Sequence, residues 1–154
     1  MAEERVVVEH PNRGKASSQL MRALVIALLL VSAGVVALIA IGGWSMLEGA
    51  KPVQIAFILV YVVLAYFVGR WNRGVLPMIA ALAVILGIFA AVAAPDWFAR
   101  DKSGFTNPAL SSDVLGLLCA LLVPLQAALI LVSLQAFRQR WNVEVERRLE
   151  PAAA

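Results

Sequence analysis

The sequence predicts an all-α integral membrane protein with a bundle of four transmembrane helices. Hydrophobic residues make up 62% of the 154 residues and charged residues only 15%, which is too apolar for an ordinary soluble domain. Four stretches contain no Asp, Glu, Lys, Arg or His, and they cover residues 23–47, 52–69, 75–94 and 114–137. Each is close to the length of about 20 apolar residues that crosses roughly 30 Å of hydrocarbon.

The first span follows a polar segment, residues 1–22, that we expect to be a mostly disordered tail. A cleaved signal peptide has an apolar run of about 7–15 residues, and this run is much longer. We therefore interpret the first span as a retained anchor.

Prolines mark the starts of the second and third spans. Pro52 and Pro77 lack a backbone N–H, which would be unpaired in the first turn of any helix. Small residues then recur every three or four positions along one side of the third span, at Ala80, Ala83, Gly87, Ala91 and Ala94. Small residues let helices approach closely in lipid, so we expect the third helix to be the most enclosed. A second stripe through Ala90 and Ala93 would suit contact between two protomers equally well.

The fourth span begins after side chains that can accept hydrogen bonds from free N–H groups, namely Ser111, Ser112 and Asp113. Near its middle, Gln126 follows Pro124, whose ring frees a backbone carbonyl. We expect Gln126 to hydrogen-bond across the bundle and fix helix packing. The alternative is a kinked helix that lines a small polar cavity. The candidate packing or cavity residues are Gln126, Pro124 and Gly87.

A repeated string, F-x-x-R-W-N, ends the second and fourth spans. Its residues are Phe67, Arg70, Trp71 and Asn72 in the first copy and Phe137, Arg140, Trp141 and Asn142 in the second. The repeat indicates either two duplicated helical hairpins in parallel orientation or convergence on one interface anchor. In an anchor, Trp prefers the headgroup boundary, Arg reaches phosphates and Asn adopts the left-handed conformation that ends a helix.

The two tails also share a pattern. Residues 6–9 and 143–146 are rich in Val, and the second segment alternates strictly, which is typical of strands. Strand pairing between the tails is one interpretation. Extension of the fourth helix through residues 144–149 is the other.

Basic residues predict the orientation. Ten of the 13 Lys and Arg residues lie in the tails and the second connection, and three lie on the other side. Because basic residues near spans stay in the cytoplasm, we expect both termini there, with an outer turn at 48–51 and an outer loop at 95–113. The domains are then residues 1–22, 23–137 and 138–154. The charge of +3 reflects this topology and attraction to anionic lipid, without nucleic acid. The Ala, Val and Arg bias is typical of a bacterial inner membrane protein.

The residues available for chemistry are few. Cys119 is the single cysteine, and the single histidine, His10, lies in the polar tail. Membrane pumps, proteases and haem proteins need ionisable or ligating side chains at depth. We therefore expect no enzyme, no cofactor and no metal site.

Two functional hypotheses follow. The first is a structural or accessory subunit that works by helix–helix contacts, in a larger membrane complex or a homo-oligomer within the lipid bilayer. The second is a facilitator or transporter component for a neutral or lipid-like substrate. Convergence of Gln54, Tyr61, Gln126 and Ser133 on one cavity would favour the second hypothesis.

Overall fold

Four long helices pack together in the computed structural model, which describes residues 5–47, 49–100 and 109–149. They are α1 (Ala16–Gly42), α2 (Lys51–Gly69), α3 (Leu76–Ala99) and α4 (Ser112–Arg138). Each is long and apolar enough to cross a membrane. The mostly helical fold with four candidate spans is therefore as the sequence predicts.

Short connections make neighbouring helices antiparallel. Single 3-10 turns, Trp44–Met46 and Arg73–Val75, lie between α1 and α2 and between α2 and α3. We call the end of the bundle where α1 begins and α4 ends the terminal end, and the opposite end the loop end. The α1–α2 turn lies at the loop end and the α2–α3 turn at the terminal end.

The helices form two hairpins that meet through α1 and α4. Helix α3 packs along α4, and α1 contacts both α2 and α4, whereas α2 barely touches α3. Helix α1 is consequently the most enclosed, so the expectation for the third helix is wrong. The reason is that α3 has only one long neighbour. Ala80, Ala83 and Ala94 are buried, but Ala91 is exposed.

The helix starts are confirmed where local chemistry sets them. Pro52 and Pro77 lie in the first turns of α2 and α3. The Ser111 hydroxyl accepts a hydrogen bond from the Val114 N–H at 3.4 Å.

The end of α1 differs from the expected position because tertiary packing sets it. The helix ends at Gly42, where the Leu110 N–H donates to the Gly42 carbonyl at 3.1 Å. A Cβ at Gly43 would lie 3.0 Å from Cη2 of Trp97. This close approach from other parts of the chain replaces the last expected turn of α1 with a 3-10 turn.

Helix α3 continues through Pro95 to Ala99, so the expected outer loop is wrong over 95–99. A proline costs one helical hydrogen bond, and burial of Ala94 and Trp97 on either side offsets that local cost. Residues 101–108 of the expected loop lie outside the described residues.

A two-stranded antiparallel sheet joins the two tails. Strand β1 (Arg5–Glu9) pairs with β2 (Val145–Leu149), with Val7 opposite Arg147. The expectation of a mostly disordered tail is therefore wrong over residues 5–22, and the all-α prediction misses this sheet. Helix extension through 144–149 is also wrong, because a left-handed residue, Arg140 at φ 50°, turns the chain directly after α4.

Candidate functional site

The terminal end of the bundle carries a cluster of aromatic and basic side chains, which we call the terminal cluster: Arg13, Arg22, Trp71, Arg73, Phe137 and Trp141. The Trp71 and Trp141 rings meet edge to face, with centroids 5.2 Å apart and planes at 84°. Trp141 is fully buried, and its indole N–H donates to Oε1 of Gln139 at 3.1 Å. The two copies of the repeat therefore contact each other directly.

Arginine side chains bind the carboxyl ends of α2 and α4. Cζ of Arg22, on α1, lies 4.6 Å from the Trp71 ring centroid, and the guanidinium donates to the Gly69 carbonyl. Arg73 lies 3.7 Å from the Phe137 ring centroid and donates to the Phe137 carbonyl at 2.8 Å. The last carbonyls of a helix lack partners and form its negative end, so these cations stabilise both helix ends.

The tail before α1 joins the same cluster. Nε of Arg13 donates to the Trp141 carbonyl at 3.1 Å, and the Asn12 amide donates to the Arg140 carbonyl at 2.9 Å. Nε2 of His10 lies 3.2 Å from Oε1 of Glu144, next to the sheet. These bonds fix the segment between β1 and α1 against the segment between α4 and β2.

The repeated string does not give the same backbone in both copies. The left-handed residue is Trp71 in the first copy, at φ 62°, and Arg140 in the second. Asn72 has φ −78°, so the expectation that Asn takes this conformation is wrong. Its side chain instead accepts from the Gly74 N–H at 3.0 Å, which caps the following turn. Packing of Trp71 against Trp141 and Arg22 offsets the cost of its left-handed backbone.

The eight expected anchor residues divide between surface and interior. Trp141 lies in the core rather than at an exposed boundary, because Trp71 and the Arg13 segment cover it. Trp71 is half-buried. Phe137 is half-buried under Arg73. The remaining five are exposed, namely Phe67, Arg70, Asn72, Arg140 and Asn142.

Three buried polar side chains form a second feature, the polar core. The Gln126 amide donates to the Ser32 hydroxyl at 3.0 Å, and its Oε1 accepts from the Tyr61 hydroxyl at 2.7 Å. All three residues are buried, and they join α4, α1 and α2. Gly87 brings α3 to the same point, since a Cβ there would lie 3.4 Å from Cβ of Gln126. Pro124 lies inside α4, which continues past it to Arg138.

The four polar residues whose convergence would favour a facilitator do not share one cavity. Tyr61 and Gln126 bond to each other in the polar core, whereas Gln54 lines a separate cleft. The Ser133 hydroxyl is buried without a hydrogen-bond partner among the described residues. The four side chains are thus spread along the bundle.

The separate cleft has a volume of about 1100 Å³ and lies between α2 and α3 towards the loop end. We call it the α2–α3 cleft. Val36 of α1 and Leu122 of α4 contribute to its inner wall. The centroids of the Phe57 and Phe89 rings lie 6.4 Å apart, and this contact joins α2 to α3 at the end of the cleft nearer the middle of the bundle. No local sequence pattern indicates this cleft, because it results from the splay of α2 away from α3.

Within the described ranges, no group of three His, Cys, Asp or Glu side chains is placed to hold a metal ion. A scan against protein-family models, a search of curated proteins and a search of solved structures each find no match to this chain.

Proposed function

We propose that this chain is a non-catalytic structural or accessory subunit of a bacterial inner membrane, which acts on a larger membrane complex by helix–helix contacts. The observation that carries this proposal is the polar core. Ser32, Tyr61 and Gln126 bond to one another in the interior of the bundle. Polar groups that served a transport path would line that path and exchange partners with a substrate.

The bonds of the polar core act on packing. Interhelical hydrogen bonds in lipid contribute about 0.6–2 kcal/mol each. Two such bonds at one amide hold three helices in register, and Gly87 lets the fourth approach. A bundle fixed in this way presents constant outer faces, which is what a contact subunit requires.

Helix α2 offers the face best suited to a neighbouring transmembrane helix. It is the least enclosed of the four helices. Leu59, Val63 and Tyr66 are exposed at spacings of three and four residues, which places them along one side. A partner helix could bury this side by van der Waals contact.

The proposed orientation places the terminal end in the cytoplasm. Ten of the 13 basic residues lie at that end, and such residues are retained on the cytoplasmic side. Pairing of β1 with β2 supports an even number of spans, because both strands must lie on the same side of the bilayer.

The test is photo-crosslinking in the native membrane. A photoreactive amino acid replaces Val63 on α2, and the matched control replaces Leu131, an exposed residue on α4. We expect one protein to be crosslinked at Val63 in a 1:1 adduct, with little crosslinking at Leu131. This adduct should no longer form when Leu59→Trp is introduced, because the larger side chain disrupts the contact face of α2. Equal, sparse capture at both positions would contradict the proposal.

The α2–α3 cleft favours a second candidate, a facilitator for a neutral or lipid-like substrate. Its walls are mostly apolar, as in many small-molecule sites. Flux of a fluorescent lipid analogue across liposomes would test it. A rate above that of empty liposomes, abolished by Ala93→Phe in the cleft wall, would favour the facilitator over the accessory subunit.

A further inference from the structure

Strand β1 has one paired edge and one open edge. Among the described residues, the sheet contains only β1 and β2, and no other backbone hydrogen bond reaches residues 5–9. Every residue of both strands is exposed. An isolated two-stranded sheet is marginally stable in water, and three or more strands are needed for independent stability. The open N–H and C=O groups of β1 therefore form a site where a further strand can add.

The open edge of β1 lacks the features that usually keep an edge strand unpaired, such as Lys, Pro and bulges. Its sequence is Arg-Val-Val-Val-Glu, and its pairing with β2 is continuous. The Val side chains are 40–48% exposed. Strand β2 differs, because Glu146, Arg147 and Arg148 occupy its centre. Of the two strands, β1 has the edge that favours pairing.

The sequence of β1 is complementary to itself in the antiparallel direction. In a two-fold pairing centred on Val7, Arg5 of one copy lies opposite Glu9 of the other, and each Val lies opposite a Val. Opposite charges and β-branched pairs that face each other across antiparallel strands are stabilising. A shift of one or two residues in either direction would place Arg5 or Glu9 opposite a valine. One register is therefore favoured.

The open edge of β2 is not complementary to itself. The corresponding two-fold pairing, centred on Arg147, would place this arginine opposite its own copy. Like charges directly opposite each other are destabilising. In the β1 pairing the two Arg147 residues would instead be separated by three strand spacings, about 14 Å, which exceeds the Debye length of about 8 Å at physiological ionic strength.

The flanking charges do not oppose the β1 pairing directly. Glu3 and Glu4 precede β1 in the sequence and lie outside the described residues. By residue count in the register centred on Val7, position 4 of one copy corresponds to His10 of the other, and position 3 to Pro11. No carboxylate therefore has a carboxylate as its direct partner. Within one copy, Glu9 also lies 3.6 Å from Arg147, and both side chains are exposed.

We infer that two copies of this chain join through their β1 strands at the terminal end and form one four-stranded antiparallel sheet. The strand order is β2-β1-β1-β2, with about four to six hydrogen bonds between the copies. Copies in one bilayer already share an orientation, which raises their effective concentration for pairing. The two-fold axis is perpendicular to the sheet, so the joined sheet lies parallel to the membrane surface. This inference goes beyond the accessory role and does not rest on it.

The experiment is disulfide crosslinking with a mild oxidant in isolated membranes. A Cys119→Ala background removes the native thiol. Val7→Cys would bring two thiols together on the axis, with Cα atoms about 4.5–5.5 Å apart, a distance that a disulfide can span. Arg147→Cys is the matched control, since Arg147 lies opposite Val7 in the same sheet. Its two copies would be about 14 Å apart, too far for a disulfide.

We expect a covalent dimer of Val7→Cys and a monomer of Arg147→Cys. A dimer of Arg147→Cys with a monomer of Val7→Cys would overturn the inference in favour of pairing through β2. Monomers of both variants would overturn it altogether.

Charge reversal tests the register. In the Val7→Cys chain, Arg5→Glu puts carboxylates opposite each other at both ends of the pair, so crosslinking should slow about fivefold. Glu9→Arg puts guanidinium groups opposite each other and should have a similar effect. A mixture of these two variants, with different tags, should form mixed dimers at the original rate, because every carboxylate then faces a guanidinium. Slow formation of mixed dimers would overturn the register.

Hydrogen exchange on the unaltered chain guards against misfolded variants. The N–H groups on the open edge of β1 gain partners only when two copies pair. Protection of residues 5–9 should therefore rise with the ratio of protein to lipid, while protection of the helices stays constant. Equally fast exchange of residues 5–9 at every ratio would overturn the inference. A photoreactive residue at Val8 should crosslink a second copy, and capture of a different protein would overturn it in favour of a partner strand.

Discussion

At the scale of single residues, one amide determines how three helices meet. Gln126 is buried, and a buried amide without partners is costly in an apolar medium. Tyr61 of α2 donates to the amide oxygen, and Ser32 of α1 accepts from the amide nitrogen. Sequence position alone indicated that Gln126 is deep. It could not identify Ser32 and Tyr61 as its partners, because that depends on how α1 and α2 are rotated.

Replacement of this amide should destabilise the bundle. Gln126→Leu removes both hydrogen bonds and leaves the Tyr61 and Ser32 hydroxyls unpaired, so we expect a loss of about 1–3 kcal/mol. Unfolding in mixed detergent micelles, followed by circular dichroism, measures the change. Gln135→Leu is the matched control, since Gln135 is an exposed amide on the same helix. Equal stability of the two variants would show that the polar core contributes nothing to packing.

At the scale of elements, α3 meets α4 at Gly87, where a Cβ would lie 3.4 Å from Cβ of Gln126. Gly87→Leu adds three carbons beyond a Cβ that would already touch Gln126 at 3.4 Å, and overpacking of this kind costs about 1–3 kcal/mol. Gly34→Leu is the control, because a Cβ at Gly34 meets nothing within 4 Å. Thermal unfolding of both variants checks the prediction. Similar midpoints for the two would mean that α3 does not depend on this contact.

Alanine at the same position should not destabilise the bundle. A Cβ at residue 87 would sit at an ordinary contact distance of 3.4 Å from Gln126. Alanine is a better helix former than glycine by about 0.8–1.0 kcal/mol. Gly87→Ala should therefore be as stable as the unaltered chain or slightly more so in the same unfolding assay, and a clear loss would mean that α3 and α4 are closer than described.

The sheet should be separable from the helices. Adjacent N–H groups of a strand point to opposite sides, so Val6→Pro combined with Val7→Pro removes at least one bond to β2 in any register. We expect faster hydrogen exchange in residues 5–9 and 145–149 and unchanged exchange in the helices, because both strands are exposed throughout. Hydrogen exchange with mass spectrometry measures this.

Val6→Thr combined with Val7→Thr is the control for the sheet, since threonine also favours strands. It should preserve the exchange pattern. Loss of helix protection in the proline variant would instead mean that the sheet holds the bundle together.

Element boundaries show which part of the fold a sequence can determine. Pro52, Pro77 and Ser111 act on their own helix, and they mark its start correctly. The end of α1 at Gly42 depends on Leu110 and Trp97, which lie far along the chain. Strand β1 likewise forms only with β2 as its partner. The alternation of residues in the tail after α4 therefore could not decide between a strand and an extension of α4. The α2–α3 cleft depends on packing of all four helices, and no local pattern indicates it.

At the scale of the whole molecule, the proposed orientation is open to direct labelling. In a Cys119→Ala background, Gly49→Cys places a thiol at the loop end and Gly14→Cys one at the terminal end, both at exposed positions. A membrane-impermeant maleimide should label Gly49→Cys in intact cells and Gly14→Cys only after lysis. The reverse pattern would contradict the orientation, and equal labelling in intact cells would contradict an arrangement in which the two ends lie on opposite sides.

The pairing of β1 with β2 also has a consequence for biosynthesis. The ribosome makes residues 5–9 long before residues 145–149, and at about 5–20 residues per second the first strand waits roughly 7–28 s for its partner. In the proposed membrane orientation, the two strands can meet only after every intervening helix has been inserted and the chain after α4 lies on the same side as β1. Formation of this small sheet would thus report that synthesis and insertion of the preceding chain are complete.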